Sequence, residues 1–347
     1  MEKELERNGS GPCESPAISV IIPVHNGVRM LERCLEALSA SLPVNHECIV
    51  VDDGSAEEVT HLAEHFGTRY VRVTGGPLGP AHARNAGAAA AKGAILFFID
   101  ADVVVRPDTL AKVAESLDGR QGIAAVFGSY DDSPATPDFI SQFKNLFHHF
   151  VHQHGSEQAA TFWSGCGAVR RDVFLEAGGF DDSRYARPCI EDIELGYRLR
   201  AAGHSILLDK SIQVKHLKKW TLSGMIKSDV FDRGIPWTLL ILDRRHVPND
   251  LNLRLTERLS AILLCAIMLD LGLLPFYHEM TAWPAVVGVC LIVLLNYRLY
   301  AFFARRRGIA FTFAALPMHL LYYLSSVFAL IAGTGYYVLG GRMRRVA

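Results

Sequence analysis

Residues 94–107 read AILFFIDADVVVRP. An unbroken apolar run leads into two aspartates, Asp100 and Asp102, separated only by Ala101. Continuous apolar runs of this length are the mark of strands buried in a parallel sheet, and ligands of open α/β sheets gather beyond the strands' carboxyl ends. Carboxylates placed there are costly unless something cationic meets them. On an extended strand end, positions i and i+2 project to one side, so Asp100 and Asp102 share a face. Mg²⁺ or Mn²⁺ held there could hold a diphosphate in turn, because these ions favour few protein carboxylates plus phosphate oxygens. A turn and helix cap around RPDTL accounts for Asp108, but not for the alternation at the strand end.

Outward from this stretch, the chain up to about residue 215 alternates apolar runs with helical patterns. AISVIIPV, ECIVVDD, YVRVT, AILFFID and GIAAVFGS predict strands, while VRMLERCLEALSASL and AHARNAGAAAAKG predict helices. Strand, helix, strand in succession implies an α/β fold with a mostly parallel, Rossmann-like sheet covered on both faces. The glycines of GGPLGPAHARNAG match neither G-x-G-x-x-G nor a phosphate loop ending in G-K-[ST], which removes a dinucleotide or nucleoside-triphosphatase reading.

Composition removes other classes. Lys plus Arg number 35 against 36 Asp plus Glu, so no overall basic field argues for nucleic acid. Seven scattered cysteines without a C-x-x-C pair argue against a disulfide framework or a zinc ribbon. Residues 1–16 are charged and then rich in Gly, Ser and Pro, and are expected to be a flexible leader. In FHHFVHQH, His148 and His152 have helical i,i+4 spacing that could bind zinc, yet no H-E-x-x-H pattern accompanies them. The phenylalanines interleaved with them favour an amphipathic element near an acceptor groove or a bilayer.

After residue 258 the chemistry changes. LSAILLCAIMLDLGLLPFY, AWPAVVGVCLIVLLNYRLYAFF and ALPMHLLYYLSSVFALIAGTGYYVLGG are each long enough to cross roughly 30 Å of hydrocarbon. Residues 258–347 are therefore expected to form a membrane region of two or three spans, after an interfacial or amphipathic linker over 221–257. The cluster Arg305 to Arg307 puts its loop on the cytoplasmic side together with the N-terminal domain. A third full span would carry the basic RMRR outward, so a re-entrant third segment stays open.

Taken in serial order, SVIIPVHN, VVDDGS, GPAHARNAG, FIDADV, FWSGCGAVRRDVF with GGFD, and EDIELGYRLRAAGH resemble the inverting family 2 glycosyltransferases of the GT-A fold. The resemblance covers residues 17 to about 220. It implies that Pro23, Val24, His25, Asn26 and Asp53 hold the nucleotide base and ribose, with Asp100 and Ala101 also on the nucleotide. It implies that Asp102 binds the metal, with Asp100 in direct or indirect support, and that His216 completes the site. Arg84 would position the nucleotide or support the metal strand; an ion pair with Asp53 or Asp100 is the equal alternative.

The same resemblance makes Asp192 the general base facing the acceptor hydroxyl. Glu191, Trp163, Gly165 and Cys166 would lie at the acceptor and sugar, with plain core packing the competing reading of Trp163. Lys219 and Trp220 would belong to a mobile loop closing over the diphosphate, although a basic juxtamembrane stretch explains Lys215, Lys218 and Lys219 as well. Processive synthases carry Q-x-x-R-W here, and this chain does not. The expectation is a Mn²⁺- or Mg²⁺-dependent transfer from a nucleotide sugar, a UDP-sugar being favoured, to a lipid-linked or glycolipid acceptor. It would act at the cytoplasmic membrane, with the catalytic domain in the cytosol and no nucleic-acid partner. A chain-extending polysaccharide synthase and a silent sugar-nucleotide sensor are the alternatives.

Overall fold

The strand that AILFFID predicts is present as Ile95–Ile99, with all five residues buried. In the computed structural model, which describes residues 16–118, 122–273, 275 and 283–340, it sits inside an eight-stranded sheet. The strands are β1 (Ile18–Val24), β2 (His46–Asp52), β3 (Arg69–Arg72), β4 (Ile95–Ile99), β5 (Val103–Val104), β6 (Ile123–Tyr130), β7 (Cys166–Arg170) and β8 (Ser205–His216). Their order is β3-β2-β1-β4-β7-β6-β8-β5. The first four run parallel, as the βαβ pattern predicts. β7 is antiparallel to both its neighbours, β4 and β6, and was not among the strands read from the sequence.

That insertion sets the geometry of the site. Ile99 pairs with Cys166, so the segment entering β7 lies beside the segment leaving β4 toward Asp100 and Asp102. β8 runs parallel to β6, and its end pairs with the short β5, setting His216 opposite Val103.

Seven helices belong to this layer: α1 (Val28–Ser39), α2 (Thr60–His65), α3 (Pro80–Ala90), α4 (Thr109–Asp118), α5 (Phe139–Gln153), α6 (Arg171–Glu176) and α7 (Glu191–Ala201). α3 opens on Pro80, where the missing N–H costs nothing. Its small residues let it lie close on the sheet: a Cβ on Gly87 would stand 2.5 Å from a methyl carbon of Ile21.

The chain continues through α8 (Leu222–Lys227), a π-helical turn (Ser228–Gly234), α9 (Ile235–Arg244), α10 (Leu255–Leu273), α11 (Trp283–Leu295) and α12 (Tyr297–Val338). Among the described residues only α12 is long and apolar enough to cross a bilayer. It is broken at Gly308 (φ 84°, ψ 173°), so it is two helical pieces end to end. The stretch 282–303, read from the sequence as one span, is divided at Asn296 between α11 and α12. At 13 residues α11 rises only about 20 Å. The expected leader up to residue 15 and the basic RMRR lie outside the described residues.

The phenylalanine face of α5 joins the two halves. Phe143 meets Phe303 and Phe147 meets Tyr322, with ring centroids 6.0 and 4.9 Å apart. The arginine cluster docks here too: Arg306 pairs with Asp132 at 2.5 Å, and Arg307 donates to Gln142 at 2.7 Å.

Candidate functional site

Arg84, on the sheet-facing side of α3, is the hinge of the arrangement. One terminal nitrogen donates to Asp100 at 2.7 Å and the other to Glu191 at 2.8 Å. Burial disfavours its charge, but Asp100, Glu191 and Asp192 outweigh burial and raise its pKa above the ordinary guanidinium value. The ion-pair alternative for Arg84 is therefore realised with Asp100, and with Glu191 rather than Asp53. Glu191 is buried, and its second oxygen accepts from the backbone N–H of Cys189 at 3.0 Å. Burial leads the effects that push its carboxyl up. Expected to face the acceptor, Glu191 instead anchors the start of α7.

Beside Asp100, the Asp102 carboxylate stands 3.4 Å from the Nε2 of His216. Burial opposes ionisation of Asp102, yet the His216 imidazole and the Lys218 ammonium hold its carboxyl below the usual range. His216 is stacked on Tyr130 at 4.1 Å and 10°, which fixes its ring plane. A carboxylate in the turn between β4 and β5 and an imidazole nitrogen at the end of β8, this close, suit a shared divalent ion whose other ligands come from a substrate. Among the described residues no three His, Cys, Asp or Glu side chains converge as a complete metal cage.

The acceptor end is built on the segment entering β7. Asp192 Oδ2 accepts from the backbone N–H of Ser164 at 3.1 Å and from its hydroxyl at 3.3 Å. The next residue, Gly165, accepts from the Asp100 N–H through its carbonyl at 3.4 Å. Two adjacent residues thus meet the Asp192 carboxylate and the Asp100 backbone. α7 lies against the same segment because Gly196 lacks a side chain: a Cβ there would sit 2.3 Å from Phe162 N. Trp163 is largely buried among Tyr130, His148 and His152, and a Cβ on Gly165 would stand 2.7 Å from its ring. Cys166, at the start of β7, is buried, and burial pushes its thiol up.

Trp163 and Asp192 also line a cavity of about 260 Å³ whose other side is lined by α9, α10 and α12. His148 and His152 line it as well. Burial drives both imidazoles toward neutrality, His152 down to about 4. The Nδ1–H of His152 donates to the Gly128 carbonyl at 3.1 Å, so this histidine ties α5 to β6.

At the nucleotide end, Val24 is buried and contributes its carbonyl, which accepts from the Asp53 N–H at 2.8 Å. Pro23 is half-buried and His25 exposed; the His25 Nδ1–H donates to the Asp53 carbonyl at 3.0 Å. Asn26 adopts a left-handed conformation (φ 61°) and accepts from Ala56 N–H at 3.0 Å. Asp53 was expected on base and ribose. It is buried and spends its oxygens on the N–H groups of Leu78 and Gly79, at 2.8 and 2.7 Å. Gly79 (φ 98°) has no room for a side chain, since a Cβ would lie 2.4 Å from the Ala186 carbonyl. Asp53 therefore shapes the loop that closes this end.

In the segment after β8, Lys218 covers the Trp220 ring at 4.4 Å and acts on Asp102. Lys218 and Lys219 are both exposed, and Lys219 acts on Asp138, at the start of α5. Of the two adjacent lysines, Lys218 is the one whose charge acts on Asp102. The sequence reading also passed over Tyr130, Ser164 and Gly196; a glycine inside the EDIELG helix was the available signal for the last.

The chain is similar to known proteins in sequence and in fold. Residues 19–178 match the family model for glycosyl transferase family 2. Glycosyltransferase AglE of Haloferax volcanii is 33% identical over 122 residues, covering 33% of this chain and 40% of that protein. Validoxylamine A glucosyltransferase of Streptomyces hygroscopicus subsp. limoneus is 27% identical over 229 residues, covering 54% and 49%. The chain thus spans half or less of the length of these curated relatives. Among solved structures, the mannosyltransferase PcManGT from Pyrobaculum calidifontis, in complex with GDP-Man and Mn²⁺, superposes with a TM-score of 0.50 at 17% identity. That likeness takes in 97% of this chain and 91% of the mannosyltransferase, including the C-terminal helices. By sequence model and by sheet architecture, the chain carries a glycosyl transferase family 2 domain, residues 19–178, on a GT-A fold.

Proposed function

We propose that this chain transfers a sugar, with inversion, from a nucleotide-diphosphate sugar to a lipid-linked or glycolipid acceptor at the cytoplasmic face of a membrane. The observation that carries the reading is the segment Ser164–Gly165, which binds the Asp192 carboxylate with one residue and the Asp100 backbone with the next. One short segment thus joins the start of α7 to the end of β4, which suits two acidic residues serving the two sides of one anomeric carbon.

The nucleotide lies along the strand ends at Pro23–Asn26 and the Asp53-shaped loop, with its diphosphate directed toward Asp100 and Asp102. Asp102 and His216, with Asp100 beside them, would hold Mn²⁺ or Mg²⁺, which when bound offsets the charge of the departing diphosphate. Arg84 pairs with Asp100 and fixes its direction. Asp192 takes the acceptor hydroxyl proton as the oxygen attacks C1 from the face opposite the leaving group. The C1–O bond to the diphosphate breaks as the new C1–O bond forms, and inversion follows. Acid–base assistance of this kind contributes ~10²–10⁴ in rate.

The acceptor class is supported by the cavity beside Asp192 and by the apolar side chains exposed on the helices around it, Ile262, Met268, Phe328 and Ile331 among them. The mannosyltransferase with a similar fold was crystallised with GDP-Man and Mn²⁺, which supports a nucleotide-sugar donor and a divalent ion.

The test is sugar transfer by the intact chain in detergent or nanodiscs, with a panel of nucleotide sugars and total membrane lipid as acceptor. Product formation is expected to stop on chelation and to return with added Mn²⁺ or Mg²⁺. Transfer that continues undiminished in excess chelator would remove the metal from the reading. Lys218 is the second check. Lys218→Ala is expected to raise the donor KM roughly tenfold, the worth of one charge-assisted hydrogen bond, while Lys219→Ala changes it less than about twofold. Equal effects would return the loop to a general basic surface.

A further inference from the structure

Asp138, Ser141 and Lys144 recur at every third position from the cap of α5 inward, which sets them along one side of the helix. Each meets the segment after β8. The Asp138 carboxylate, which caps α5 by accepting from the Ser141 N–H at 3.0 Å, is acted on by the Lys219 ammonium. The Ser141 hydroxyl accepts from the Trp220 N–H at 2.8 Å. The Lys144 ammonium stands 5.7 Å from the centre of the Trp220 ring, which Lys218 also covers at 4.4 Å. Cations within about 6 Å of an indole face are drawn to it. The first two turns of α5 are thus a seat for Trp220, and Lys218, whose charge acts on Asp102, rides two residues away on the same segment.

Lys144 is buried, and burial pushes its ammonium below the ordinary value. Asp229, in the π-helical turn Ser228–Gly234, pairs with it and opposes that shift. The turn itself lies hard against α12, since a Cβ on Gly234 would be 2.5 Å from the Cβ of Ala329. Apolar side chains of similar volume could fill the space of a buried ion pair at little or no loss of stability. What they could not do is hold a cation over the Trp220 ring. Lys144 and Asp229 also line the cavity beside Asp192, so the pair stands where the seat and the cavity meet.

We propose that Lys144 is a positioning residue for the transfer: Asp229 fixes the ammonium, the ammonium seats the Trp220 ring on α5, and the seated segment keeps Lys218 beside Asp102. The inference rests on the reading of the segment after β8 as part of the donor site. It adds the residues that place that segment, one of them from the turn packed on α12.

The test is limited trypsin digestion of the intact chain in nanodiscs, with cleavage after Lys218 and Lys219 followed by mass spectrometry. Both lysines are exposed, and cleavage there tracks the fraction of molecules in which the segment has left its seat. Lys144→Met/Asp229→Asn removes both charges together, so no unpaired buried ion is left to unfold the protein. This variant is expected to speed cleavage at the two bonds by about threefold, the worth of a cation–π contact, while other tryptic sites keep their rates. Trp220→Ala should speed it at least as much, and combining the two should add nothing further, because both act through one contact. By calorimetry with Mn²⁺, whichever of UDP and GDP binds the unmodified chain more tightly should lose about threefold in affinity in Lys144→Met/Asp229→Asn. Unchanged cleavage after Lys218 and Lys219, equal acceleration at sites throughout the chain, or effects that simply add in the combined variant would each overturn the seat. Unchanged nucleotide affinity would overturn the positioning role. The digestion contains neither nucleotide nor metal, so its failure is distinct from a failure of the donor reading.

Discussion

Asp192→Asn is expected to lower kcat by about 10²–10⁴ while leaving the affinity for the donor nucleotide close to that of the unmodified chain. The amide keeps the shape of the carboxylate and can still accept from the Ser164 N–H through its oxygen, so the segment before β7 should stay in place. What it loses is the ability to accept a proton from the attacking hydroxyl. The measurement is steady-state transfer alongside nucleotide binding by calorimetry. A kcat for the Asp192→Asn variant within about threefold of normal would remove Asp192 from the chemistry. A parallel loss of nucleotide binding would mean that the substitution had disturbed the Asp100 side through Gly165.

Arg84→Met is expected to act on stability as much as on rate. It leaves the buried Glu191 carboxylate without its cation, and breaking one side of a buried pair costs ~3–5 kcal/mol. For a domain of this size each kcal/mol lowers Tm by about 2–4 °C, so a fall on the order of 10 °C should appear by calorimetry. A second substitution, Glu191→Gln, separates the contributions. In Arg84→Met/Glu191→Gln the buried charge is gone, and much of the lost Tm should return, whereas activity should not, because Asp100 still lacks its partner. A double variant no more stable than Arg84→Met alone would show that packing, such as the contact of Arg84 with the Phe180 ring at 5.7 Å, dominates over charge.

The parallel half of the sheet was legible because each of its strands is a contiguous apolar run. The acidic pair was legible by its place just beyond such a run, but its geometry was not, since the strand ends at Ile99 and a turn, with Val103 N–H donating to the Asp100 carbonyl at 3.0 Å, replaces the expected extended alternation. The antiparallel β7 was not. CGAVR is short, follows a tryptophan and a glycine, and becomes a strand only because β4 and β6 offer it edges on both sides. The partners of Arg84 were half visible: Asp100 is sixteen residues away, but Glu191 is 107 residues away, and only folding brings it near. For adjacent residues such as Lys218 and Lys219, composition is silent, since which ammonium acts on Asp102 depends on the path of the chain after β8. The C-terminal helices show a related difficulty. Apolar content marks 282–303 as continuous, yet Asn296 donates its side-chain amide to Ser260 on α10 at 2.9 Å and ends one helix there.

The wall of the cavity is drawn from both halves of the chain, with Asp192 and Trp163 on one side and residues of the π-helical turn, α9, α10 and α12 on the other. The groups that would handle the donor come from the first half, the end of β8 and the segment just after it. Substitutions in the later helices can therefore reshape what enters the second compartment without touching Asp102, His216 or Arg84. An ancestral scaffold of this design can diversify its products by drift in one region while its activated-sugar chemistry stays fixed in the other.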